Sequence, residues 1–211
     1  MLATVFRKET FFMKNSIPPK DDQRVRLSKS MLKTALIQLL KIKPLQSITV
    51  KELCEMAQIN RGTFYAHYYD IYQLMEELED EMLLELQQLL QRNSVIVNPV
   101  SDRPSSFITS IIEFFTNNKE MCTILIGENG DKKFVNKIIQ IGKDKCIEEY
   151  GRLFTSSNPL QVEIFYTFVS HGFVGLIQFW MQNEAQISKE SLARSVESII
   201  TEGVSYFKRP L

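Results

Sequence analysis

The spacing of apolar side chains is helical almost throughout the chain. Between Arg24 and Lys41, Leu27, Met31, Ala35 and Leu39 recur at i+4, flanked by Leu32, Leu36 and Leu40, which predicts an amphipathic helix. Lys43-Pro44 stops it, because the residue before a proline is pushed out of the helical region. Thr49-Val-Lys-Glu52 has the form of a capping box: the Thr hydroxyl accepts from a first-turn N–H and the Glu carboxylate reaches back. Val50, Leu53, Cys54 and Ala57 give this second helix one buried face before it ends at Gln58-Ile59. Asn60 caps a short third helix with Phe64 and Tyr68 turned inward, and Asp70 caps a fourth over about Ile71 to Arg92.

Residues 93–106 read as a loop, with Pro99, Pro104 and several Ser and Asn. Helical spacing returns over about 105–117, 119–126, 131–154, 160–183 and 188–207, with breaks at Gly127 to Gly130 and Ser156 to Pro159. Strand-like alternation is scarce, so the expected fold class is all-α, with about nine helices. The second and third helices are joined by a turn of about three residues. That is helix-turn-helix spacing, although a small helical bundle with no nucleic-acid role has the same outline.

Composition narrows the field. A chain of 211 residues, 44% hydrophobic and 24% charged, is ordinary for a globular protein and excludes disorder over most of its length. No apolar run approaches the ~18 residues of a spanning helix, so no membrane role is expected. Residues 1–23 read as a poorly ordered arm, interrupted by Arg7, Lys8 and Glu9, with no signal-peptide core. The net charge is zero but uneven: +6 over residues 1–70 and −6 over residues 71–211. A basic N-terminal third suggests a part that meets a polyanion.

Cys54, Cys122 and Cys146 are widely spaced, and the two histidines, His67 and His171, are far apart. Metal-ligand spacing is absent, so no metal or cofactor is expected, and the cysteines read as reduced, buried thiols of a cytoplasmic protein. The chain contains no G-x-G-x-x-G, P-loop, H-E-x-x-H or G-x-S-x-G motif. An enzyme is not expected.

Asn60-Arg-Gly-Thr-Phe-Tyr-Ala-His-Tyr68, with Ser47 to Ile59 before it, resembles the recognition segment of the TetR family of bacterial transcriptional regulators. The resemblance covers roughly residues 26–75, and the Asn-Arg-Gly-Thr-Phe-Tyr variant is most similar to the branch from low-GC Gram-positive bacteria that includes activators of dihydroxyacetone kinase operons. It implies a DNA-binding unit at 24–70, followed by a helical effector-binding and dimerisation unit at 71–211. Arg61 suits bidentate contact with guanine, and Gly62 allows close backbone approach or is simply tolerated in a first turn. The resemblance implies phosphate contacts from Thr63, Tyr65 and His67, while Lys51 matches a position that reaches base or phosphate. Thr49 either faces a phosphate at a helix N-terminus or serves only as a cap. The family often has lysines where this chain has Tyr69 and Ile71, which implies a weaker phosphate grip or contacts relocated to Lys29, Lys33, Lys41 or Lys43.

Helix 160–183 is apolar on most sides, so it needs cover both from its own subunit and from another body. The resemblance makes that body a second copy, joined through helices 160–183 and 188–207. It also implies a small-molecule effector among the C-terminal helices, with Phe114, Phe115, Tyr150, Tyr166, His171 and Trp180 as candidate pocket residues. Taken singly, each of these six residues is better accounted for by core packing. Docking of a protein partner by the C-terminal half is the alternative to a small ligand. The partners expected are therefore a palindromic DNA operator, a second copy of the chain, and a small effector or a protein.

Overall fold

The computed structural model describes residues 20–93, 106–127, 131–153, 158–183 and 186–204. Those residues hold nine α-helices: α1 (Lys20–Leu40), α2 (Val50–Ala57), α3 (Arg61–Tyr65), α4 (Ile71–Arg92), α5 (Ser106–Asn117), α6 (Lys119–Ile126), α7 (Lys132–Leu153), α8 (Pro159–Gln182) and α9 (Lys189–Val204). A single 3-10 turn at Leu45–Ser47 links α1 to α2. Among the described residues there is no strand, and the fold is all-α as expected. Residues 1–19, most of the 93–106 loop, Ser156 and Phe207 lie outside the described residues. The helix α1 starts at Lys20, so the last residues of the expected arm are helical.

The caps that the sequence announces are made. Thr49 and Glu52 form the capping box of α2. The Asn60 side chain accepts from Gly62 N–H at 2.8 Å, and the Asp70 side chain accepts from Gln73 N–H at 2.9 Å. Asn158, with Pro159 at the first helical position, starts α8 through a second capping box with Gln161. Each such cap stabilises its helix by about 1 kcal/mol, by satisfying N–H groups that have no partner inside the helix.

The core differs from the sequence reading at α1. Its buried face is Leu32, Ala35, Leu36 and Leu39, whereas Leu27 is 63% and Met31 36% exposed. Only the second half of the i+4 row from Leu27, Ala35 and Leu39, therefore lies in the core. Burial follows the i, i+3, i+4, i+7 set that meets α2 and α4. At this end of the molecule Leu32, Leu36, Leu53, Phe64 and Leu74 are fully buried. At the other end α7 packs on α8 and α4, α5 on α9, and α6 on α7 and α8. By length and composition α8 could cross a membrane. Its inner side, Val162, Phe165, Ile177 and Trp180, is instead buried against neighbouring helices.

The turn between α2 and α3 is closed by Gln58 at φ 55° and ψ 38°, the one non-glycine residue at positive φ among those described. Ile59 N–H donates to the Cys54 carbonyl at 2.9 Å, which ends α2 in the manner of a glycine cap. The left-handed conformation costs an L-residue roughly 1–2 kcal/mol, part of which glycine would return as unfolded-state entropy. We expect Gln58→Gly to stabilise the protein by about 0.5 kcal/mol in urea unfolding. Unchanged or lower stability would contradict the strain assigned to this turn.

Candidate nucleic-acid interface and ligand cavity

The helix α3 has five residues, too few to be stable alone, and is held by one anchor. Phe64 is fully buried, with Tyr65 edge-on at 5.3 Å and Tyr68 at 5.7 Å between ring centroids. The next residue, Tyr65, is 59% exposed. Arg61 and Gly62 in the first turn are exposed, and Thr63 and His67 are half-buried. The Arg61 guanidinium has no side-chain partner among the described residues, so its donors are available. A Cβ placed on Gly62 would lie 3.3 Å from Asn60 Oδ1, a tight fit against the cap itself. The glycine thus has a local reason that does not involve DNA.

Thr49 is committed in both directions. Its hydroxyl accepts from Glu52 N–H at 3.2 Å and donates to the Glu52 carboxylate at 2.8 Å, so a phosphate contact would have to displace a capping bond. Lys51 is exposed and lies 3.9 Å from Glu55, too far for a strong pair.

Lysines proposed from sequence as substitute phosphate contacts are engaged elsewhere. Lys29 pairs with Glu77 at 2.8 Å, and Lys33 with Glu77 at 2.7 Å and Glu81 at 2.6 Å. Lys41 pairs with Glu120 at 2.6 Å, and Lys43 with Glu52 at 2.7 Å. These contacts join α1 to α4, α1 to α6, and the 3-10 connection to α2. The Lys29 ammonium also sits 5.1 Å from the centroid of Tyr68. Among the described residues the buried Tyr68 hydroxyl has no well-formed hydrogen-bond partner, and burial followed by the negative charge of Glu77 pushes its pKa up. Tyr69 and Tyr72, 77% and 54% exposed, flank the start of α4 where lysines were missed. Sequence reading gave Tyr69 and Tyr72 no role, although exposed phenols beside a short, outward-facing helix are a signal it could have used.

The C-terminal helices surround a cavity of about 140 Å³. Its walls come from α4, α5, α7, α8 and α9, and of the six candidate residues it takes Phe115, Tyr150 and Tyr166. The other three lie elsewhere. Phe114 is buried edge-on to Phe115 outside the cavity wall. Trp180 is buried with its indole N–H donating to the Ile187 carbonyl at 2.9 Å, which clasps the end of α8 to the start of the α9 connection. His171 is exposed on α8, its Nδ1 2.8 Å from the Thr167 carbonyl. Sequence reading missed Leu86, Ile111, Cys146 and Ser170, which also line the cavity. Gly142 matters here, because a Cβ would come 2.7 Å from the Tyr166 hydroxyl and block its donation to the Ile139 carbonyl. All three cysteines are buried and unpaired, and burial pushes Cys122 and Cys146 up to about 12, so both stay neutral thiols.

Residues 102–202 match the family model described as the TetR-type transcriptional regulator C-terminal region. A regulator of the helix-turn-helix type from Bacillus subtilis (strain 168), YxbF, is 20% identical over 181 residues, 85% of this chain and 46% of that protein. Another from Haemophilus influenzae is 25% identical over 107 residues, 51% of this chain and 52% of that protein. The chain spans about half the length of these curated relatives. A TetR transcriptional regulator from Streptococcus agalactiae 2603V superposes with TM-score 0.60 at 20% identity, over 85% of this chain and 97% of that one. Over residues 102–202 this chain thus resembles TetR-type regulators in sequence, and its fold is the one seen in TetR-family regulators. A TetR-like regulator from Aquifex aeolicus VF5 shares the fold, with TM-score 0.56 at 17% identity over 84% and 98% of the two chains. So does the dihydroxyacetone kinase operon activator DhaS, with TM-score 0.52 at 15% identity over 86% and 96%. The TetR-family members matched are regulators rather than enzymes.

The start of α2 has a marked electrostatic arrangement. The Lys43 ammonium, then the Thr49 hydroxyl and N–H, hold the Glu52 carboxyl down to about 2 from its ordinary 4.5. A depressed carboxyl stabilises the fold above its ordinary value, and that stabilisation is lost as pH falls from about 4.5 towards 2. We expect the stability difference between the parent and Glu52→Gln to shrink across that window in acid unfolding followed by circular dichroism. A difference independent of pH would contradict the pairing.

Proposed function

We propose that this chain is a homodimeric, cytoplasmic regulator that reads a palindromic DNA operator, with its DNA affinity set by a small molecule in the C-terminal cavity. In this reading residues 24–70 form the DNA-binding unit and 71–211 the effector and dimerisation unit. The observation that carries it is the one-residue step on α3: Phe64 is buried and Tyr65, with Arg61 a turn before, faces out. An α-helix presented this way fits a major groove, with base edges met by its first turn and phosphates by flanking donors. Arg61 is proposed as the base reader. Lys51, Thr63, Tyr65 and His67 are proposed as backbone contacts, and Gly62 and Thr49 as the residues that shape the two helix starts.

The dimer is supported by a stripe on α8. Leu160, Ile164, Phe168, His171, Gly172, Gly175 and Phe179 fall within about 120° at 100° per residue, and all are exposed. Phe168 is 73% exposed, and open space surrounds the would-be Cβ of both Gly172 and Gly175. Ile199, 58% exposed on α9, adds to the apolar surface. A monomer rarely leaves so large an apolar patch in water, and glycines within it admit close helix crossing. Two recognition helices one DNA turn apart or more would then meet matching half-sites.

Control by a ligand would be a shift between two dimer shapes, sized by the ligand's difference in affinity for them. The helix α4 supports this link: Leu86 and Leu90 line the cavity, while Glu77 and Glu81 near its middle hold Lys29 and Lys33 of α1. An apolar cavity favours a small ligand over a protein partner.

Arg61→Ala should remove about 1–3 kcal/mol of discrimination at one base pair per half-site, while Tyr65→Phe weakens all duplexes by a similar factor. Fluorescence anisotropy on a selected site and its single-base variants reads both effects, and unchanged discrimination in Arg61→Ala removes it as a base reader. Phe168→Arg should convert the dimer to monomer at micromolar concentration in analytical ultracentrifugation. A dimer that persists would move the interface off α8.

A further inference from the structure

The cavity selects a chemical class of ligand, an inference that rests on the effector reading above. Its walls are aliphatic and aromatic, with Leu86, Ile111, Phe115, Ile138, Val169 and Phe173 among them, and among the described residues no charged side chain lines it. Two of the hydroxyls that reach it already donate to backbone carbonyls. The Tyr166 hydroxyl donates to the Ile139 carbonyl, and the Ser170 hydroxyl donates to the Thr167 carbonyl at 3.3 Å. Tyr150 lays its ring 5.4 Å from that of Phe165, and the Cys146 thiol is buried and neutral. A carboxylate or a polyol entering this space would lose its water and find few donors or acceptors to replace it. Size sets the second limit. About 140 Å³ is close to the ~150 Å³ Leu/Ile/Phe-lined cavity, known in another protein, that stays dry and takes benzene.

We propose that this cavity binds an uncharged, monocyclic hydrocarbon-like molecule of about six to eight heavy atoms, held by shape and apolar contact between α4, α5, α7 and α8. Larger ligands require helices to part, and charged or polyhydroxylated ones are rejected by desolvation. Binding fills space against Leu86 and Leu90 of α4, the helix whose first half contacts the DNA-reading unit.

Isothermal titration of the full chain with toluene, benzoate and glycerol separates the classes. The expected result is a saturable one-to-one isotherm for toluene, with a Kd at least tenfold below that of benzoate or glycerol. Val169→Phe, which puts a ring into the free volume, should weaken toluene at least tenfold in a chain whose helical circular dichroism is unchanged. Benzoate or glycerol binding as tightly as toluene overturns the proposal, and so does the absence of saturable toluene binding. Unchanged toluene affinity in folded Val169→Phe also overturns it. The comparison of toluene with benzoate uses the unaltered chain, so it decides the ligand class even where the variant does not fold. Duplex binding with and without toluene tests the effector reading separately. Toluene that binds but leaves duplex affinity unchanged upholds the ligand class and overturns control by the ligand.

Discussion

A five-residue helix cannot keep its shape in water, because one or two hydrogen bonds do not offset the entropy of fixing its backbone. Everything outward-facing on α3 therefore depends on the burial of Phe64. That ring is fully enclosed, and the residues on either side of it inherit their directions from it. Burying a phenylalanine stabilises by about 1.5–3 kcal/mol, more than any single cap nearby contributes. The cap at Asn60 and the strained turn at Gln58 then fix where the helix begins and at what angle it leaves α2. Tyr68, buried one turn later, holds the other end and hands the chain to α4 at Asp70.

A second constraint joins the N-terminal helices to the rest of the fold. Four lysines around α1 meet acidic partners on α2, α4 and α6. Exposed ion pairs of this kind contribute little singly, but Lys33 with Glu77 and Glu81 is partly enclosed and forms a network. Burial works against the charge on Lys33, yet the two carboxylates outweigh it and hold its pKa above the ordinary value. Lys29 and Lys33 tie α1 to α4, and each of the four lysines already has a carboxylate partner. The surface beside α3 carries the exposed Tyr65, Tyr69 and Tyr72 instead. The helix α4, about 33 Å long at 1.5 Å per residue, thus both walls the cavity and packs on the N-terminal helices.

Much of this was legible in the chain. Asn60, Asp70 and the Thr49–Glu52 box name helix starts, because a cap is a local bond between residues two or three apart. The bounds of α4 follow from Asp70 and its periodicity alone. What failed was long-range or rotational. Leu27 and Met31 fit the same helical period as the true core row, and only the position of α2 and α4 decides which of two adjacent rows is covered. The pairing of Lys29 with Glu77 spans 48 residues and leaves no trace in local pattern. Phe114 and Phe115 are neighbours of one type, yet one lines the cavity and the other does not. On α8, apolar on nearly every side, sequence could say that two bodies cover it, but could not assign His171 to the outer stripe or Trp180 to the inner one.

The central claim is that α3, oriented by Phe64, reads duplex DNA as one of a twofold pair. Selection of duplexes from a random pool by the purified chain, at fixed ionic strength, tests it most directly. The account predicts enrichment of an inverted repeat whose half-sites are centred about 10 base pairs apart or a multiple of that. Recovery of no enriched sequence, or of a site without twofold symmetry, would contradict it.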